Sequence, residues 1–274
     1  MNRKISHIIT LSILCLLPVS SLQAQLNAKY TDENPVIVAS DWDFPPYEYS
    51  NDQGDPAGYN VELLQRIFTK LGCSYRIILR EWSEAAQTFE RHDADLVIDP
   101  TYRFRGLPYI RSTNILNYYK VQIVSSSEEL KVTRLSDLSP TDTLVLKKDD
   151  YAANRIVNEH RIDIPVICRS PKEALAGISE GRYHYFIWGE GPLMWKKKEL
   201  AIDTMIVNRI DSHDGEIRVV GYDKELVDAI DDEYARLEQS GDLENLRDKW
   251  FHPERIHDDT STVALFVMAG AAIA

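Results

Sequence analysis

The sequence has no Gly-rich phosphate loop, no nucleophile elbow, no Cys-x-x-Cys pair and no His-Glu-x-x-His. Those absences remove the short signatures of nucleotide hydrolysis, serine hydrolysis, dithiol chemistry and zinc proteolysis. Basic residues are also short: 31 Lys and Arg stand against 43 Asp and Glu, a net charge of -12. A chain so acidic offers no basic stripe to neutralise phosphates, so nucleic acid is not an expected partner. Apolar runs stop short of the roughly 20 residues that span a bilayer. The seven histidines are scattered. The one run with the look of a ligand cluster, His92-Asp93-Ala94-Asp95, reads as a polar turn before a buried strand. No metal, no cofactor and no catalytic residue is assigned.

Cysteine is scarce, with three in 274 residues. Cys15 lies in an apolar run without the small residue expected before a lipidated cysteine, so no lipid anchor is assigned. Cys73 and Cys168 are far apart in sequence and are expected in different lobes, as buried free thiols rather than a disulfide.

The two ends carry what apolar runs there are. Arg3 and Lys4 precede the mostly apolar stretch Ile8 to Leu17, and Ala24 is a plausible cleavage residue. Residues 1–24 are thus expected to be a secretory signal peptide, with the product periplasmic. Residues 260–274 contain no charge and are Ala/Gly-rich. They are expected to start a transmembrane helix that tethers the chain to the inner membrane; the other reading is an apolar tail packed on the domain.

Between the ends, hydrophobic residues make up 44% and charged residues 27% of the chain, a globular balance. Short β-branched runs alternate with helical patterns. Strands are expected at Val36–Ser40, Tyr75–Leu79 and Asp95–Ile98, with a helix capped by Asn60 and stopped at Gly72, and a shorter one from Ser83 to Arg91. A second block has the same alternation, with strands at Val121–Val124, Leu144–Leu146, Val166–Cys168 and Tyr185–Trp188. It also carries a weaker helix at Tyr151–His160 and a helix opened by Ser170-Pro171-Lys172-Glu173. A strand at Ile217–Tyr222, a helix from Asp223 with Leu226, Ile230, Tyr234 and Leu237 on one face, and a final helix carrying Leu243, Leu246 and Trp250 close the pattern. The Lys196-Lys197-Lys198 run reads as a solvated face. This alternation predicts an α/β fold with parallel sheets.

The segment Asp41-Trp42-Asp43-Phe44-Pro45-Pro46-Tyr47-Glu48-Tyr49 follows a strand directly. Pro45-Pro46 is expected to run extended. Its aromatics, Tyr47 among them, would crowd the C-terminal edge of a sheet, where open α/β sheets bind ligands. The alternative is a stiff loop with rings packed beneath it.

Asp43-Phe44-Pro45-Pro46-Tyr47-Glu48-Tyr49, Gly58-Tyr59-Asn60-Val61-Glu62-Leu63, Leu71-Gly72, Trp82 and Asp95-Leu96-Val97-Ile98 occur in an order that resembles family 3 of the extracellular solute-binding proteins, the amino-acid-binding type. Leu135-Ser136-Asp137-Leu138, Glu180-Gly181-Arg182, Gly241-Asp242-Leu243 and Trp250-Phe251 continue it to about residue 251. The resemblance implies a two-lobed periplasmic-binding-protein type II (Venus-flytrap) fold with two hinge strands, near Tyr119–Val124 and Ile217–Tyr222. The solute-binding domain would cover 30–256, with lobe 1 about 30–122 and 220–256 and lobe 2 about 123–219.

The resemblance also implies site residues. Phe44 would stack on the ligand, with Asp41 as a neighbouring pocket acid and Trp82 as an apolar wall. Asp99, Pro100 and Thr101 would supply the cluster after the third strand. Arg105, with Arg103 as second choice, would pair with a carboxylate. In lobe 2 the sequence departs from the family pattern: Lys147-Lys148-Asp149-Asp150-Tyr151 replaces Gly-Thr or Gly-Ser, and Gly189-Glu190 stands where an acid for an α-amino group is expected. Glu190 would stand in for that acid, from a different direction. Asp149 or Asp150 would repel a carboxylate unless paired with Lys147 or Lys148.

These features lead to an expected sensor domain for a small polar solute, carboxylate-bearing ones included, of the kind carried by membrane-bound histidine kinases, in which case a dimer is expected. The alternatives are a soluble component of an ABC-type amino-acid transporter and a cyclohexadienyl-type dehydratase on the same fold.

Overall fold

The computed structural model describes residues 22–99, 108–148, 150–153, 166–168, 170–202, 204–210 and 214–252. The expected signal region up to residue 21, the apolar run 260–274, most of the Tyr151–His160 helix, and Thr101, Arg103 and Arg105 lie outside the described residues.

Two α/β lobes make up the described chain. In the first, the sheet is ordered β5-β1-β6-β14-β7: Tyr75–Arg80, Val36–Asp41, Leu96–Asp99, Gly215–Gly221 and Ile110–Arg111, with β8 (Asn117–Tyr119) also pairing with β14. β1 runs parallel to β5 and β6, whereas β14 is antiparallel to its neighbours. Five of the six residues of β1 are buried, as expected of a parallel strand covered on both faces. Helix α1 (Tyr59–Leu71) supplies Leu63, Leu64, Ile67 and Phe68 to the core and stops at Gly72, whose φ of +71° suits a residue without Cβ. Asn60, expected to cap this helix, is instead its second residue and is buried. Gly58 precedes the first turn with φ +121°, and a Cβ there would lie 2.3 Å from the Tyr47 carbonyl oxygen. Close approach of two backbones therefore decides the helix start, not a side-chain cap. Helix α2 (Trp82–Glu90) likewise begins one residue before Ser83, with no side-chain cap.

In the second lobe the sheet is ordered β11-β10-β12-β9-β13: Val166–Cys168, Leu144–Leu146, Tyr185–Gly189, Val121–Ser125 and Ile206–Arg209. β10 is parallel to β11 and β12, and β9 is antiparallel to β12 and β13. Helix α3 (Pro171–Ser179) opens as its sequence predicts: the Glu173 amide donates to Ser170 Oγ at 3.3 Å, and Pro fills the first turn. Helix α4 (Glu190–Glu199) is an element the sequence pattern does not predict. It buries only Pro192 and Leu193, so its sequence carries little helical periodicity.

The chain passes from the first lobe to the second between β8 and β9, around Lys120, and returns between Arg209 and Gly215. Along its length β14 pairs with β6, β7 and β8. Helix α5 (Lys224–Ser240) then starts on Asp223, whose carboxylate accepts from the amides of Glu225 and Leu226. Its face of Leu226, Ile230, Tyr234 and Leu237 is buried in the first lobe, and α6 (Asp242–Phe251) adds Leu243 and Leu246.

Residues 22–29 are helical and precede β1; Leu26 and Tyr30 join the first-lobe core. Cys73 is a buried free thiol in this lobe, and Cys168 lies on β11 in the other. Among the described residues, no helix is long and apolar enough to cross a membrane.

Candidate functional site

The loop after β1 folds back as a small three-stranded sheet: Asp43–Phe44 (β2) pairs with Glu48–Ser50 (β3), which pairs with Pro56–Ala57 (β4). Pro45-Pro46 does not run extended as its sequence predicts. The pair is joined by a cis peptide and sits in the turn, with the Tyr47 amide donating to the Phe44 carbonyl at 3.0 Å. The hairpin brings rings together. Phe44 stacks on Tyr47 with centroids 5.2 Å apart and on Tyr119 at 5.7 Å, nearly parallel. Tyr47 in turn meets Phe251 at 5.5 Å. Trp42 points outward, and its indole N–H donates to Glu81 at 2.9 Å.

Phe44 forms one wall of a cavity between the lobes. Asp41, Glu48, Asn60, Trp82 and Ile98 join it from the first lobe. Tyr119 and Ile217 come from the strands beside the crossings, and Asp150 and Tyr151 from the loop after β10. The remaining space is about 30 Å³, enough for one or two water molecules. The lobes are in contact around it. Lys147 Nζ is 3.2 Å from Asp41 Oδ2 and donates to the Asp43 carbonyl at 3.1 Å. Lys196 Nζ is 3.3 Å from Asp43 Oδ1. Tyr49 meets Trp195 at 5.5 Å, and a Cβ on Gly191 would lie 2.6 Å from the Tyr47 ring. Lys196 thus belongs to the closure between lobes, not to the solvated face its run suggests; its side chain is 19% exposed.

The cavity is rich in buried acids, and each has a donor. The amide of Asp43 donates to Asp41, in addition to Lys147. Asp150 accepts from the Tyr119 hydroxyl at 2.6 Å and from the Ala152 amide at 2.8 Å. Glu48 accepts from the Asn60 side chain at 3.0 Å, and Asn117 donates to Asn60 behind it. Burial pushes the carboxyls of Asp41 and Asp150 up, opposed by Lys147 in both cases and by the Tyr119 hydroxyl at Asp150. Burial also pushes Glu48 up to about 7, with the Asp41 charge adding to it and the Asn60 hydrogen bond opposing it. For Lys147 burial works against the charged form, but Asp41, Asp150 and Asp43 together hold it above the usual amine range.

Of the residues singled out from sequence, Asp41, Phe44, Trp82 and Asp150 line the cavity. Tyr47 packs behind Phe44, between it and the second lobe. Glu190 does not line the cavity. It opens α4 at the outer edge of the cleft, accepting from Gln122 at 3.1 Å and sitting 3.6 Å from Lys120. Asp99 ends β6, one residue after the cavity-lining Ile98. Glu48, Asn60, Ile98, Tyr119, Tyr151 and Ile217 line the cavity without having been singled out by sequence. Glu48 lies inside the Asp41 to Tyr49 loop, and its place directly opposite Phe44 across the hairpin is the signal that could have found it. Among the described residues, no group of three or more His, Cys, Asp or Glu is placed to hold a metal ion.

Comparison with known proteins agrees with this architecture. The family described as bacterial extracellular solute-binding proteins, family 3, matches residues 36–253. Cyclohexadienyl dehydratase from Pseudomonas aeruginosa is 24% identical over 149 residues, which cover 50% of this chain and 53% of that enzyme, so the match spans about half of each. A mutant of ArgBP from T. maritima superposes with a TM-score of 0.69 at 16% identity, covering 84% of this chain and 99% of that one. A histidine kinase sensor domain with similarity to periplasmic binding proteins superposes with a TM-score of 0.62 at 21% identity, covering 79% and 96%.

Proposed function

The chain belongs to the bacterial extracellular solute-binding proteins, family 3, and from that premise we propose that it is a periplasmic sensor domain that closes on a small polar solute, tethered to the inner membrane as the input of a signalling protein such as a histidine kinase. The observation that carries the reading is the cavity whose walls come from both lobes. A solute touching both walls would bias an open–closed equilibrium toward closure, and such a two-state element is what a sensor needs. The likeness to a kinase sensor domain and the charge-free stretch 260–274 support the tethered form. The solute class proposed is amino-acid-like or an organic acid, with Arg105, and Arg103 as second choice, offered to its carboxylate.

A thermal-shift screen of purified protein against amino acids, polyamines and organic acids tests this. A bound solute raises stability by RT ln(1 + [L]/Kd), so saturation should move the melting temperature by several degrees. A flat screen overturns solute sensing. Release of the protein from cells without detergent would favour the transporter component instead.

The dehydratase reading has one observation behind it. Glu48, in the cavity wall, is held up to about 7, the range that general acid–base chemistry uses. Turnover of a cyclohexadienyl acid by the purified protein, lost in Glu48→Gln, would establish it.

A further inference from the structure

One buried joint between the lobes is an ammonium group. Lys147 leaves the second lobe directly after β10 and crosses the cleft. Its Nζ meets two first-lobe oxygens, Asp41 Oδ2 at 3.2 Å and the Asp43 carbonyl at 3.1 Å, and lies 5.7 Å from the centre of the Trp188 ring. A carboxylate, a carbonyl and an indole face make a complete ammonium site. It is shielded from water, with the Lys147 and Asp41 side chains only 10% and 9% exposed. The other two cavity acids are already engaged, Asp150 by Tyr119 and Ala152 and Glu48 by Asn60.

We propose that Lys147 is a built-in occupant of an ammonium subsite formed by Asp41 and Asp43 of the first lobe and the Trp188 ring of the second, a latch that reserves the rest of the cleft for a solute bringing no cation to Asp41. The proposal rests on the solute-binding reading and narrows it. A basic amino acid or polyamine would have to displace a tethered ammonium whose effective concentration is on the order of millimolar or higher. Lys147 is thus a specificity-determining residue that selects acidic or neutral solutes. With the lysine removed, the same subsite becomes a receptor for free primary amines.

The test is Lys147→Ala with propylammonium chloride, which replaces the atoms the substitution deletes. The variant should melt lower than the parent protein. Propylammonium should restore the melting temperature along a saturating curve, binding the variant at least about tenfold more tightly than the parent. Small-angle scattering should show the variant expanded and the amine returning it to the parent radius. Sodium propionate and 1-propanol should do neither, and the double variant Lys147→Ala/Asp41→Asn should not respond to the amine. An equal response of parent and variant, rescue that survives Asp41→Asn, or a folded variant indifferent to the amine would each overturn the latch. If Lys147→Ala is recovered unfolded, propylammonium in the refolding buffer should raise the folded yield, and no rise would count equally against it. The solute screen on the parent protein is a separate readout. A flat screen with an amine-rescued variant removes the sensor reading and leaves the latch; a positive screen without rescue removes only the latch.

Discussion

Two loops face each other across the cleft, each leaving the C-terminal end of a parallel strand, and they line it in opposite ways. The loop after β1 turns back as a hairpin and stacks its rings on one another, so the first-lobe wall is largely self-supporting. The loop after β10 is charged, and the two buried charges among its described residues find partners outside the loop. Lys147 is met by Asp41 and Asp43 of the first lobe, and Asp150 by Tyr119 at the first crossing. An apolar wall can be complete within one lobe because burial has no required partner. A charged wall is complete only when the lobes meet, since an unpaired buried charge is costly. The second wall is therefore the one that couples folding to closure.

Removing one member of the cross-lobe pair should break this contrast most strongly. Lys147→Met keeps the stem and leaves Asp41 buried without its cation, at an expected cost of about 3–5 kcal/mol by urea denaturation. Adding Asp41→Asn should recover most of that loss; if the double variant is no better than the single, the pair is not what Lys147 supplies. Phe44→Ala tests the self-supporting wall. Loss of a buried ring stacked on two others should cost about 3 kcal/mol by urea denaturation. Tyr119→Phe removes one donor from Asp150 and should cost about 1–3 kcal/mol. That loss should shrink in Asp150→Asn if the 2.6 Å hydrogen bond carries it.

The last effect is a pH dependence, read as a slope. Glu48 is held at about 7 in the folded chain against 4.5 for a free side chain. The folded state keeps the proton that the unfolded chain has already released. The stability from this group is therefore fully present below pH 4.5 and is lost as pH rises through about 7. Its slope should be at most about 1.4 kcal/mol per pH unit within that window, and Glu48→Gln should flatten it. A parent protein whose stability rises steadily from about pH 5 to pH 7.5, unaltered by Glu48→Gln, would sink the assignment.

Much of the fold was legible because its elements announce themselves locally. Ser170-Pro171-Lys172-Glu173, Asp223 and Gly72 act as caps and stops in the structure as their residue types predict. The β-branched runs became strands where burial on both faces suits them. Local signals failed where a neighbour far along the chain decided. Asn60 reads as a cap but is drawn inward to Glu48, with Asn117 behind it. Helix α4 has almost no apolar stripe, and its Lys196 is turned to Asp43 of the other lobe. Glu190 stands at a position where an acid was expected, but Lys120 and Gln122 hold it at the rim.

The Asp41 to Tyr49 segment shows the division most clearly. The sequence alone determined that an aromatic, proline-stiffened loop follows a buried strand and that ordered landmarks continue it into a two-lobed α/β chain, because strand burial, helix caps and motif order are all written within short stretches. Only the tertiary structure decided that Asp41 is paired, by Lys147 from 106 residues away, and that the rings close against the second lobe at Gly191. A charge buried between two lobes takes its meaning from the partner across the gap, and that partner is set by how the sheets dock, not by any spacing along the chain.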